Sequence, residues 1–330
     1  MNGSSNIVDR VLQTNIYIQP IHFVLAVLAN ALNIRILSSS ALRASPCTHY
    51  FLTYAILSII YACLLCPIQF ARSFSVNLIH DMISCKLHAY FLFAIPLQAN
   101  LMIILASFDR FCASIQLNRL QSLNTILIAR RNIVLSILFS LCYMLPMLFI
   151  YHWNDSSKKC FLQNNLIIKI YISSQVLVYY VVSPVLLVIF GILTIYNIHE
   201  RSTRIKPLIS TAAHRRTETQ LARMLFLQVL VHFIFILPFG ILYSLNSFVP
   251  STEIPKIIAI RLICVTWQQG DYFISFFLYI LSANIYRQEF MRIINSMNCS
   301  IHRRTDYFSP RLQVQYDKIE LSVKTTYSLA

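Results

Sequence analysis

Charged residues are absent, or nearly so, from seven stretches of the chain, 11–34, 50–71, 87–108, 132–154, 170–199, 224–252 and 262–286, the last interrupted only by Asp271. Each is long enough to cross the roughly 30 Å of a bilayer's hydrocarbon as a helix rising about 1.5 Å per residue. A helix also satisfies its own backbone hydrogen bonds where no water is at hand. Alternation of apolar and polar residues, the mark of strands, is missing from runs this uniform. The pattern predicts an all-α protein, a seven-transmembrane helix bundle occupying residues 16–297. A short extracellular N-terminus, 1–15, precedes it, and a polar tail rich in Ser, Thr and Tyr, 298–330, follows it with the composition of a disordered segment.

Composition agrees with a bilayer and excludes a water-soluble globule, with 57% of 330 residues hydrophobic and 12% charged. A formal charge of +15 would suggest a nucleic-acid partner in a soluble protein. Here its distribution matters more. Most of the 27 Lys and Arg fall in 35–49, 109–131, 200–223 and 287–330, which should therefore face the cytoplasm. The N-terminus is then outside and the C-terminus inside, at the plasma membrane, with no nucleic acid involved. Two glycosylation sequons, at Asn2 and Asn154, fall on the expected outer side. The Asp9-Arg10 pair and the length of the first window speak against a cleaved leader. With four scattered glycines, no phosphate-cradling loop and no metal-spaced cluster within a span, neither an enzyme nor a cofactor is expected.

Of nine cysteines, most lie in apolar windows as small buried hydrophobes. Cys85, just before the third window, and Cys160, in the polar "YHWNDSSKKCFLQNN", both face the oxidising side, where a disulfide between them would clamp that loop over the helix mouth. Pro67, Pro96, Pro146, Pro184 and Pro238 fall inside windows, where each should kink its helix.

The third window ends in "LMIILASFDRFCASIQ", and the length from Cys85 to its Asp109-Arg110-Phe111 resembles the third helix of rhodopsin-like G-protein-coupled receptors, which closes with Asp-Arg-Tyr. The resemblance spans residues 16–297. Asn30 in "LANALNI" looks like that family's first-helix asparagine, and Pro184 and Pro238 like its fifth- and sixth-helix prolines. Ser275-Phe-Phe-Leu-Tyr279 stands in the place of Asn-Pro-x-x-Tyr, and a short amphipathic eighth helix begins near Tyr286. The family pairs Cys85 with its second-loop cysteine, here Cys160. The chain departs from the family at the second-helix aspartate, near Ser58 or Ile59. It departs again at the fourth-helix tryptophan, near Ser136, and at the sixth-helix tryptophan, Ile236. The "FFLY…S" ending is similar to invertebrate branches such as receptors for FMRFamide-type peptides.

The resemblance implies a receptor that carries an extracellular signal to a heterotrimeric G protein. It also implies arrestin recruitment by a phosphorylated tail; Cys299, just beyond the amphipathic eighth helix, is a candidate for palmitoylation, with an unmodified thiol as the alternative. Charges at a span's end must turn inward and pair. Asp109, Arg110 and Glu218, whose distance from Pro238 matches the family's sixth-helix acid, are expected to form a latch joining the third and sixth helices. An ordinary membrane-edge pair is the plainer alternative. Asp271, a lone acid within a span, is expected to face Asn30, Asn100 and Ser275 and to hold a sodium ion or a proton; a protonated, hydrogen-bonded core acid stands beside it. Leu92 occupies the place of the acid that binds amines, and the seventh window has no Lys for retinal. A peptide is the expected ligand, with Gln98 and Gln269 as further pocket residues. A receptor that no longer couples and a small-solute transporter remain as alternatives.

Overall fold

The computed structural model describes residues 2–74, 76, 78–115, 125–154, 159–162, 165–204, 209–248 and 255–296. Among them, six helices are long and apolar enough to cross a membrane. They are the first span, Asn2–Leu37, the second, Pro46–Ser73, the third, Met82–Ser114, and the fourth, Ile126–Met144. The fifth begins as Leu166–Leu177 and continues as Ser183–Arg204, and the sixth is Ile209–Phe248. A seventh span is made of two shorter pieces, Pro255–Gln269 and Asp271–Ser282, parted at Gly270. The compact unit formed by residues 1–283 is thus a seven-helix bundle. A second unit, 284–330, contains a helix over 284–296.

Burial in the first unit is inverted relative to a protein in water. Asn30, Asn33, Ser58, Asn100 and Ser275 are enclosed, whereas Leu127, Phe149 and Ile192 project outward. Hydrocarbon accepts the outward side chains, and helix-to-helix hydrogen bonds hold the inward ones. The third span is central, touching the second, fourth, fifth and sixth, while the first closes the ring against the second and seventh. Its start is set by a capping box between Asp81 and Ser84, which meets the free N–H groups of the first turn.

Three boundaries differ from the expected ones. The first span is helical from Asn2, not from residue 16, and its early turns are held to the seventh span by Thr266 Oγ1 donating to Asn15 Oδ1 at 3.2 Å. The fourth window ends early. Pro146 stands between the fourth span and a single turn, Met147–Ile150, and Tyr151–Asn154 form a strand, β1, paired antiparallel with β2, Lys159–Leu162. A proline cannot continue the helix's hydrogen bonds, and the aromatic residues that follow suit an extended, half-buried edge. The fifth span widens into a π turn at Val178–Val182, just before Pro184. With no N–H at 184, the preceding turn has no i→i−4 bond to close and opens by one residue.

Pro238 lies within the sixth span and leaves the Ile234 carbonyl without its helical donor. The indole of Trp267 supplies one, donating from Nε1 at 3.1 Å. A Cβ at Gly270 would run into the Phe235 ring, so the sixth span lies close against the break in the seventh.

Candidate functional site

One end of the bundle carries the disulfide. Cys85 and Cys160 are bonded, with Cα atoms 5.8 Å apart. The bond draws the β1–β2 hairpin across a cavity of about 380 Å³ reached from that end. Helix periodicity builds its walls. Tyr61, Leu65, Gln69 and Arg72 recur every three or four residues and so share one face of the second span, and the seventh offers Arg261, Leu262, Val265 and Gln268. The π turn brings Tyr179 and Tyr180 to the same space, Tyr179 donating to the Phe93 carbonyl and Tyr180 lying against Gly240. Burial pushes the Tyr151 phenol above its ordinary range, with the Arg261 charge pulling the other way.

Of the expected pocket residues, Leu92 lines this cavity. Gln98 and Gln269 do not. Gln98 Nε2 donates to Ser136 Oγ at 2.9 Å, tying the third span to the fourth. Gln269 Oε1 lies 3.1 Å from His22 Nδ1, tying the seventh span to the first. Both carboxamides hold helices together, because a polar group in hydrocarbon takes the nearest partner on a neighbouring helix.

Midway through the bundle, Asp271 has two partners. Its Oδ2 lies 2.7 Å from His232 Nδ1 and accepts from the Tyr54 hydroxyl at 3.1 Å. The second, sixth and seventh spans thus meet at one carboxylate. Asn30 and Ser275, expected at that acid, are instead joined through Asn33, whose Nδ2 lies 3.4 Å from Asn30 Oδ1 and 3.2 Å from Ser275 Oγ. Asn30 Nδ2 also donates to the Tyr272 carbonyl. Asn100 is buried, and its Oδ1 meets no donor among the described residues. Towards the other end, the Tyr279 hydroxyl donates to Gln228 Oε1, again linking seventh span to sixth.

At the end opposite the disulfide, Arg110 Nη2 donates to Asp109 Oδ2 at 2.7 Å and to Ser45 Oγ at 3.3 Å, with both charged residues enclosed. Phe111 packs 5.8 Å from Phe190 of the fifth span, and Asn197 donates to Ser114 beside it at 3.0 Å. The Glu218 side chain lies outside the described residues, as do the side chains of Asn2 and Asn154 and all of Cys299.

Several residues that build these sites were not singled out from the chain alone. His232 carried a signal, since an ionisable side chain inside an apolar span marks a site as much as an acid does. Arg72 and Arg261 carried none, because at span ends they read as anchors.

The chain matches the family model for the 7 transmembrane receptor (rhodopsin family) over residues 29–269. No curated protein matches it.

Proposed function

Because this chain belongs to the rhodopsin family of seven-transmembrane receptors, a family of signalling membrane proteins and not of enzymes, we propose that it passes a peptide signal from the cavity under the hairpin to a heterotrimeric G protein at the Asp109–Arg110 end. The disulfide end is then extracellular, in keeping with the excess of Lys and Arg on the other side. The observation that carries this reading is the third span itself. One continuous helix has the hairpin's disulfide at Cys85 and the enclosed Arg110 near its far end, so a ligand above and a protein below contact the same element.

The peptide reading rests on Leu92, which offers an ammonium no counter-ion on the cavity wall. For Asp271, the His232 and Tyr54 contacts give the carboxyl group two partners within the bundle, so it is held without a bound ion. Signalling requires that ligand prefer the open bundle, a tenfold preference giving about 1.4 kcal/mol of bias.

The test is GTP exchange by G proteins co-reconstituted with the full chain. Glu218→Gln, at equal reconstituted amount, is expected to raise ligand-free exchange by loosening the latch. Solute flux through the reconstituted chain without any exchange would turn the assignment to a transporter. Exchange that stays at background with every peptide tried, in both forms of the chain, would favour a receptor that does not couple.

A further inference from the structure

The outer cavity carries more polar information than a peptide reading needs. Arg72 and Arg261, from the second and seventh spans, both line it and are near enough for their charges to repel one another. Among the described residues that line the cavity there is no carboxylate to answer them. A second imbalance lies one turn deeper. Gln69 shares the helix face of Arg72, and its Oε1 is enclosed without a donor among the described residues; Gln175 Oε1, on the fifth-span wall, is in the same condition. A buried acceptor left unmade costs free energy that a ligand's N–H recovers. The site therefore lacks one anion at its mouth and N–H donors below it, above apolar walls that include Leu92, Phe93 and Val265.

A free peptide C-terminus supplies that set in that order, a carboxylate, then the N–H of the same residue, then an apolar side chain. We propose, resting on the reading of this cavity as the ligand site, that the receptor takes its peptide by the free C-terminal carboxylate. Arg72 and Arg261 hold the carboxylate, Gln69 accepts the terminal residue's N–H, and Gln175 accepts a further N–H. A planar guanidinium matches a carboxylate's two oxygens, which is why arginines suit this role. At about 380 Å³ the cavity is at the small end of ligand sites, so it encloses a peptide's end and leaves the rest to the hairpin and loops. A peptide ending in Arg-Phe-amide brings a positive charge and no carboxylate to the same mouth, and it is excluded by this arrangement.

The experiment uses the full chain in phosphatidylcholine nanodiscs and two probes, acetyl-Leu-Phe as the free acid and as its C-terminal amide, with binding read from the ligand-induced thermal shift. The acid is expected to bind about tenfold more tightly, the scale of one charge-assisted hydrogen bond. Arg72→Gln and Arg261→Gln should each abolish that preference, with Arg261→Lys keeping part of it. Both arginines line the cavity and keep accessible surface, and an unchanged Tm of the ligand-free variants checks that the bundle is intact. Equal behaviour of acid and amide, whether both bind or neither does, overturns the proposal, and so does a preference that survives both arginine variants. Leu92→Trp separates this failure from that of the cavity itself. If it removes binding of acid and amide alike, the cavity stands and only the carboxylate reading falls. If neither probe responds to it, the cavity is not where they bind.

Discussion

The two halves of the bundle treat charge in opposite ways. In the middle and at the end opposite the disulfide, acids and bases meet one another: Asp109 with Arg110 at 2.7 Å, and Asp271 with His232 at 2.7 Å. In the half that carries the disulfide, Arg72 and Arg261 face a cavity and meet no carboxylate among its described lining residues. Charge removed from water must be paired or it is expensive, whereas charge left beside a hydrated cavity is free to wait. The paired charges are already answered within the bundle, whereas the cavity arginines meet no carboxylate among the described residues. The difference agrees with the proposed division into a ligand end and a coupling end.

The comparison breaks most sharply at Asp271. His232→Leu leaves an enclosed carboxylate with Tyr54 alone, and loss of one member of a buried pair costs about 3–5 kcal/mol. Asp271→Asn in the same background should recover most of that, measured as Tm in nanodiscs. Additive losses would mean that the two side chains do not act as a pair. The disulfide comes next. Its partners are 75 residues apart in sequence, and Cys160→Ser should cost about 2–4 kcal/mol by freeing the hairpin. The free-acid probe should lose affinity with it, while the Asp109–Arg110 end keeps its response to Glu218→Gln. A stable variant with unaltered binding would show that the hairpin does not shape the cavity.

How much of this was readable beforehand follows from the range of the interactions. Span number and the positions of Cys85, Asp109, Arg110 and Pro184 were legible because each depends on local composition or on spacing within one helix. The sign that Asp271 turned inward was legible for the same reason. Its partners were not, since periodicity says which face of a helix looks inward but not which helix stands opposite. Tyr54 and His232 lie 217 and 39 residues away in sequence. Arg72 and Arg261 gave no signal for a related cause. A charge at a span's end has the same sequence signature whether it snorkels to the headgroups or lines a cleft. The strand at Tyr151–Asn154 was hidden because its apolar residues extend the fourth window without a gap, and only Pro146 marked the change.

A milder test sits at the join of the sixth and seventh spans, where the two halves are coupled. Gly270→Ala puts a Cβ into the Phe235 ring and should cost about 1–3 kcal/mol, the range for overpacking. Phe235→Leu in the same chain should return most of it. If Gly270→Ala is neutral alone, the Phe235 ring swings aside freely and the spans are not held at this point.

The smallest effect expected is at Trp267. Its Nε1–H answers the Ile234 carbonyl that Pro238 leaves without a donor, and its ring stacks on Phe235 with centroids 4.9 Å apart. Trp267→Phe keeps an aromatic ring there and removes the donor, which should cost about 1 kcal/mol of stability. Its effect on signalling should be larger in proportion, because the lost bond is the one that fixes the sixth span's bend against the seventh. Ligand-free GTP exchange is expected to change in Trp267→Phe and to be unaffected by Trp153→Phe, which alters the chain's other tryptophan in the hairpin. A change of equal size in both would mean that the bend at Pro238 is held by the sixth span's own packing and not by this indole.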